Sequence, residues 1–70
     1  MSKFMIYLNQ YIGLDIKIKN SYFNKVISNL TNELKNMKTQ EVIDIIKENR
    51  HKMSNEHADY LYLLLKPLDW

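Results

Sequence analysis

The sequence predicts an all-α fold: a compact bundle of three to four short helices with an extended arm near residues 14–19. Two observations predict it. From Tyr22 to Met37 the apolar residues Tyr22, Phe23, Val26, Ile27, Leu30, Leu34 and Met37 keep the three-and-four spacing of one helical face. Two further segments with helical character each follow a hydroxyl residue, Thr39 or Ser54, of the kind that caps a helix start.

The Tyr22–Met37 helix sets Asn24, Lys25, Ser28, Asn29, Asn32, Glu33 and Lys35 opposite its apolar stripe. Asn20 or Ser21 is placed to accept a hydrogen bond from one of its free N–H groups. A second helix is expected from Gln40 to Arg50, with Thr39 as N-cap and Glu41 favourably placed in the first turn. Its inner stripe is Val42, Ile45, Ile46 and Asn49, widened by Ile43. A third helix is expected after Ser54 and stops at Pro67, which cannot continue it. Its second half, Tyr60–Leu65, is apolar around nearly its whole circumference, so one side is covered either by this chain or by a partner.

The first 20 residues carry two readings. Phe4–Ile12 reads as a helix ended by Gly13, the residue best suited to a left-handed C-terminal turn. Leu14–Lys19 then alternates strictly and reads as extended, with Leu14, Ile16 and Ile18 facing inward. The alternative is α+β, pairing Phe4–Leu8 with Leu14–Ile18 as an N-terminal β-hairpin, because a lone strand leaves its backbone groups unpaired. The expected core is Phe23, Val26, Ile27, Leu30, Leu34, Ile45, Ile46, Leu61 and Leu64.

Seventy residues suffice for a single small helical domain over 1–70. A domain of this size buries only about 60% of its unfolded surface, so its core needs help. The chain has no Cys, which excludes disulfides and thiolate metal sites and fits a reducing compartment. A partner chain is the remaining helper, and a homo-oligomer, a dimer, is expected. The longest apolar runs, Phe4–Leu8 and Tyr60–Leu65, are far short of the about 18 residues of a membrane span, and no small-residue cleavage site follows the first. The chain therefore reads as cytoplasmic, with no membrane partner.

Lys outnumbers Arg nine to one, and Asn and Ile are abundant. That bias is what AT-rich coding DNA produces, and it points to a low-GC bacterium, a phage or a mobile element. Charge is uneven along the chain. Residues 1–38 carry six Lys against Asp15 and Glu33, a net +4, and residues 39–70 carry a net −2, giving the overall +2.

The residues offer little for catalysis, and no cofactor is expected. A single Gly excludes a phosphate-binding loop. Neither His51 nor His57 has a second His three or four residues away, so the paired helical metal site is missing. Glu48-x-x-His51 is half of a di-iron motif whose second half is lacking. Glu41, Asp44 and Glu48 have the spacing of a solvated helix side rather than of carboxylates held apart in pKa by burial.

Two binding chemistries remain. Lys47, Arg50, His51 and Lys52 form a basic knuckle, and two helices joined by a short turn can present the second to a DNA groove. That second helix would open Ser54-Asn55-Glu56-His57-Ala58-Asp59, with two acids and no Lys or Arg, which phosphate repels. Nucleic-acid binding is the alternative reading, carried by Lys17, Lys19, Lys25, Lys47, Arg50 and Lys52. Protein binding is the leading reading, carried by Tyr60, Tyr62, Leu63, Leu65, Leu68 and Trp70, because aromatic and large apolar residues anchor interfaces. The function expected is a small non-catalytic regulator, adaptor or inhibitor. A further alternative is a structural subunit that only self-assembles.

The stretch from Leu34 through Thr39, Val42, Ile45, Ile46, Asn49, Met53 and Ser54 to Tyr62 loosely resembles the Hha/YmoA family of small helical modulators. The resemblance covers under half the chain and implies action through protein contacts. Leu64 or Leu65 stands where that family presents an acid on its third helix.

Overall fold

The structure is a computed structural model that describes residues 3–66. The chain folds as α1 (Phe4–Ile12), α2 (Ser21–Leu34), α3 (Thr39–Asn49), a 3-10 turn over Arg50–Lys52, and α4 (Asn55–Leu65). No strand occurs among the described residues, so the fold is all-α and the hairpin alternative is excluded. The chain divides into two compact units, Met1–Met37 and Lys38–Trp70.

In the first unit, α1 buries Phe4, Leu8 and Tyr11, one face at positions i, i+4 and i+7. The Tyr11 side chain is fully buried, and no buried side-chain nitrogen or oxygen among the described residues lacks a hydrogen-bond partner. The helix ends as its residue pattern predicts, but not by the expected geometry. Gly13 has φ −79° and ψ −6°, a right-handed conformation open to any residue, and its N–H donates to the Asn9 carbonyl at 3.3 Å. A Cβ there would meet only the Gln10 and Asn9 carbonyls, at 3.6 and 3.8 Å.

The expected extended arm is a turn. The Asp15 carboxylate accepts from the Lys17 N–H at 2.9 Å, and the Asp15 carbonyl accepts from the Ile18 N–H at 3.0 Å. Asp captures nearby backbone donors in this way and thereby competes with strand pairing. With Phe4–Leu8 helical, Leu14–Ile18 also has no strand beside it. Leu14 and Ile16 are half-buried, and Ile18, expected inside, is 56% exposed.

Asn20 opens α2: its side-chain oxygen accepts from the Phe23 N–H at 2.9 Å. The stripe Phe23, Val26, Leu30 and Leu34 is buried as the spacing predicts, while Ile27 is half-buried and Tyr22, expected on the same face, is 56% exposed in the first turn. The helix stops at Leu34, three residues short of the expected Met37. Its carbonyls there are taken by tighter bonds, Asn36 N–H to Glu33 at 3.1 Å and Met37 N–H to Leu34 at 3.3 Å.

The second unit begins with Lys38, not Thr39, as the N-cap of α3. Glu41, in the first turn, reaches back to accept from the Lys38 N–H at 3.4 Å and so draws Thr39 into the helix. Of the expected inner stripe, Val42 and Asn49 are buried and Ile45 and Ile46 half-buried. Asn49 settles its polarity within the helix, donating from Nδ2 to the Ile45 carbonyl at 2.7 Å. Ser54 caps α4 as expected, accepting from the His57 N–H at 3.1 Å. Ala58, Leu61 and Leu65 are the buried residues of that helix, and the expected core residue Leu64 is half-buried. No helix among the described residues is long and apolar enough to cross a membrane.

Candidate functional site

Two matched helical faces in the second unit form its concave feature. Ile43, Ile46 and Lys47 on α3 and Arg50, its C-cap, recur at i, i+3, i+4 and i+7, and Ala58, Leu61, Tyr62 and Leu65 repeat that spacing on α4. Together they line a groove of about 190 Å³. Its depth comes from Ala58, Leu61 and Leu65, all buried, and its upper walls from half-buried Ile43 and Ile46. Tyr62 stands 69% exposed. The charged residues lining the groove are Lys47 and Arg50, both cationic and both on the α3 side.

The connection between the helices is held by hydrogen bonds together with the buried Met53 side chain. The Arg50 guanidinium donates from Nη1 to the Met53 carbonyl at 3.0 Å and from Nη2 to the Asn55 side-chain oxygen at 2.6 Å. One planar fork therefore spans the turn from the end of α3 to the start of α4. The Met53 N–H donates to the Arg50 carbonyl at 3.2 Å, and the Met53 side chain is buried beneath. Ser54 adds a second contact to α4, its Oγ lying 2.6 Å from His57 Nδ1.

The residues expected to bind protein divide in the structure. Tyr62 lines the groove, and Leu63 is exposed at 65% on the outer side of α4. Leu65, expected at an interface, is 3% exposed and forms the groove floor, because its spacing from Ala58 and Leu61 puts it on the inward stripe. Tyr60 is half-buried. Leu68 and Trp70 lie outside the described residues.

The expected nucleic-acid residues also divide. Lys17 and Lys19 follow α1 and Lys25 sits on α2, whereas Lys47, Arg50 and Lys52 belong to the second unit. Arg50 spends two of its donors on Met53 and Asn55, so its first role is to hold the turn. The signal for the groove was present as two identical i, i+3, i+4, i+7 sets. Only their juxtaposition was missing.

The polar side of α3 is ordinary helix surface. Asp44 accepts from the Gln40 side chain at 2.9 Å, and Glu41 is engaged with Lys38. No cluster of three or more His, Asp or Glu among the described residues is placed to hold a metal ion. Comparison with protein-family models, curated proteins and solved structures gives no match to this chain.

Proposed function

We propose that the chain is a non-catalytic protein-binding module, a small regulator, adaptor or inhibitor, that takes an acidic amphipathic helix of another protein into the α3–α4 groove. The observation that carries this reading is the pairing of an apolar floor with charges of one sign. Half-buried Ile43 and Ile46 and exposed Tyr62 offer the apolar surface above the buried Leu61 and Leu65, and Lys47 and Arg50 offer only positive charge. A helix laid in such a groove buries its apolar face and sets its acids against the cations. The lining residues span seven positions on each helix, about 10 Å or two helical turns, which suits a short helical segment. Tyr62, large and exposed at the edge, is the type of residue that dominates binding energy once desolvated. The mechanism is occlusion or bridging of the partner, in the cytosolic setting that the absence of Cys fits.

The test is affinity capture from nuclease-treated lysate of the native host, with a photo-cross-linking residue at position 62. Support is a single protein cross-linked through an acidic helical stretch, with capture lost in Tyr62→Ala and Lys47→Glu while far-UV circular dichroism is unchanged. Capture indifferent to both substitutions overturns the groove reading. Capture that vanishes with nuclease moves the function to nucleic acid.

A further inference from the structure

The outer face of α4 carries residues in the order that a two-fold axis requires. Asp59, Tyr62, Leu63 and Lys66 lie at i, i+3, i+4 and i+7, so they share one side of the helix. All four are exposed, Tyr62 at 69% and Leu63 at 65%. Single exposed apolar residues are ordinary on a protein surface. Here two large ones are adjacent and are bracketed on the same face by an acid on one side and a base on the other.

The order along the face is acid, aromatic, aliphatic, base. Two copies packed antiparallel, with the axis between Tyr62 and Leu63, read that order in opposite directions. Each Tyr62 then meets the partner's Leu63, and each Asp59 meets the partner's Lys66. Parallel packing instead sets Asp59 against the partner's Asp59 and Lys66 against the partner's Lys66, which repel. Within one helix, Asp59 and Lys66 are about 10 Å apart along the axis, too far to pair with each other. Self-complementarity of this kind, in which one residue contacts a second and the second contacts the first, is the defining property of a two-fold interface.

We propose that a second copy of this chain is the occupant of the outer face of α4, in an antiparallel dimer. The inference goes beyond the groove reading and does not rest on it: Asp59, Leu63 and Lys66 do not line the groove, and Tyr62 at its edge is the one residue that the two surfaces share. A single helix pair falls below the about 1,000 Å² of a stable interface, so the association is weak and depends on concentration.

Sedimentation equilibrium of the full chain over a concentration series tests it. The expected result is a rise from the 8.5 kDa chain mass toward twice that value. Asp59→Lys alone and Lys66→Asp alone each weaken self-association by about tenfold or more, because each places like charges together at both ends of the contact. Mixing the two single variants restores a dimer, since every contact between them then pairs opposite charges. The double variant restores self-association for the same reason. Both positions are exposed, and circular dichroism checks that α4 remains helical. If either single variant loses helicity, the double variant still decides the matter. A monomer at every concentration overturns the proposal, as does a dimer indifferent to both single substitutions or a mixture that fails to recover. Groove binding is read separately through Lys47→Glu, because Lys47 lies on α3 and outside the dimer face.

Discussion

In the first unit the rings of Phe4, Tyr11 and Phe23 are each at most 2% exposed, whereas among the described residues of the second unit no aromatic ring is buried and Tyr62 stands 69% open. Each buried ring removes about 150–250 Å² from water, so three of them give a short helical pair a substantial core. The second unit buries Val42, Met53, Ala58, Leu61 and Leu65, a set with no side chain larger than Met or Leu. Both connections use hydrogen bonds, through Asp15 and Asn20 in the first unit and through Arg50 and Ser54 in the second, but only the second ties its turn with a side-chain guanidinium. The comparison teaches that the two units divide their labour. One buries three aromatic rings, though it leaves Ile6, Ile18 and Tyr22 exposed, and the other buries only smaller side chains and keeps an apolar groove beside its turn.

The largest expected effect is in the first unit. Phe23→Ala costs about 3–5 kcal/mol, because a fully packed ring leaves a cavity its neighbours cannot fill. Leu61→Ala in the second unit costs about 2–3 kcal/mol, the low end of such changes, since the adjoining groove lets the site relax. Urea unfolding of both variants checks this, and equal costs would break the contrast.

Next comes the polar turn. Arg50→Ala removes two hydrogen bonds and destabilises by about 1–2 kcal/mol, with faster amide exchange confined to residues 50–57. Arg50→Lys does not restore the protection, because an ammonium lacks the planar fork that reaches Met53 and Asn55 together. Protection unchanged in Arg50→Ala would show that Met53 burial alone holds the turn.

Helix caps give a matched pair of smaller effects. Asn20→Ala and Ser54→Ala each lose one side-chain bond to a helix N–H and cost about 1 kcal/mol. Thermal unfolding ranks them, and the comparison sharpens if Ser54→Ala is the worse, since Ser54 also contacts His57. The smallest effect is a gain. Gly13→Ala stabilises by about 0.4–1 kcal/mol, because its right-handed backbone accepts a Cβ and the unfolded chain loses freedom. A loss of stability in that variant would restore the left-handed ending expected from the glycine.

Most of the helices could be read before the structure was seen. The boundaries of α1 and α4 and the caps Asn20 and Ser54 follow from local preferences, and so does the inward stripe of α2. The errors share one cause. Leu14–Ile18 alternates like a strand, yet alternation only states which residues would share a face if a neighbouring strand existed. With α1 helical none does, and Asp15 folds the segment into a turn. Thr39 has the chemistry of a cap, but Glu41 reaching back to Lys38 moves the boundary by one residue. Leu65 and Leu63 are alike in sequence, and only the direction of α4 shows that Leu65 is buried under the groove while Leu63 is exposed.

By itself, then, the sequence determined the helix periods and two of the caps and favoured the all-α class over a hairpin alternative, because these depend on residues within a few positions of one another. Tertiary structure decided the rest. It set the faces of α3 and α4 beside each other as a groove, tied Arg50 to Met53 and Asn55 across the turn, and left Tyr62 and Leu63 open. Those outcomes depend on contacts between residues that are distant in the chain, and periodicity within one helix carries no information about which other helix its face will meet.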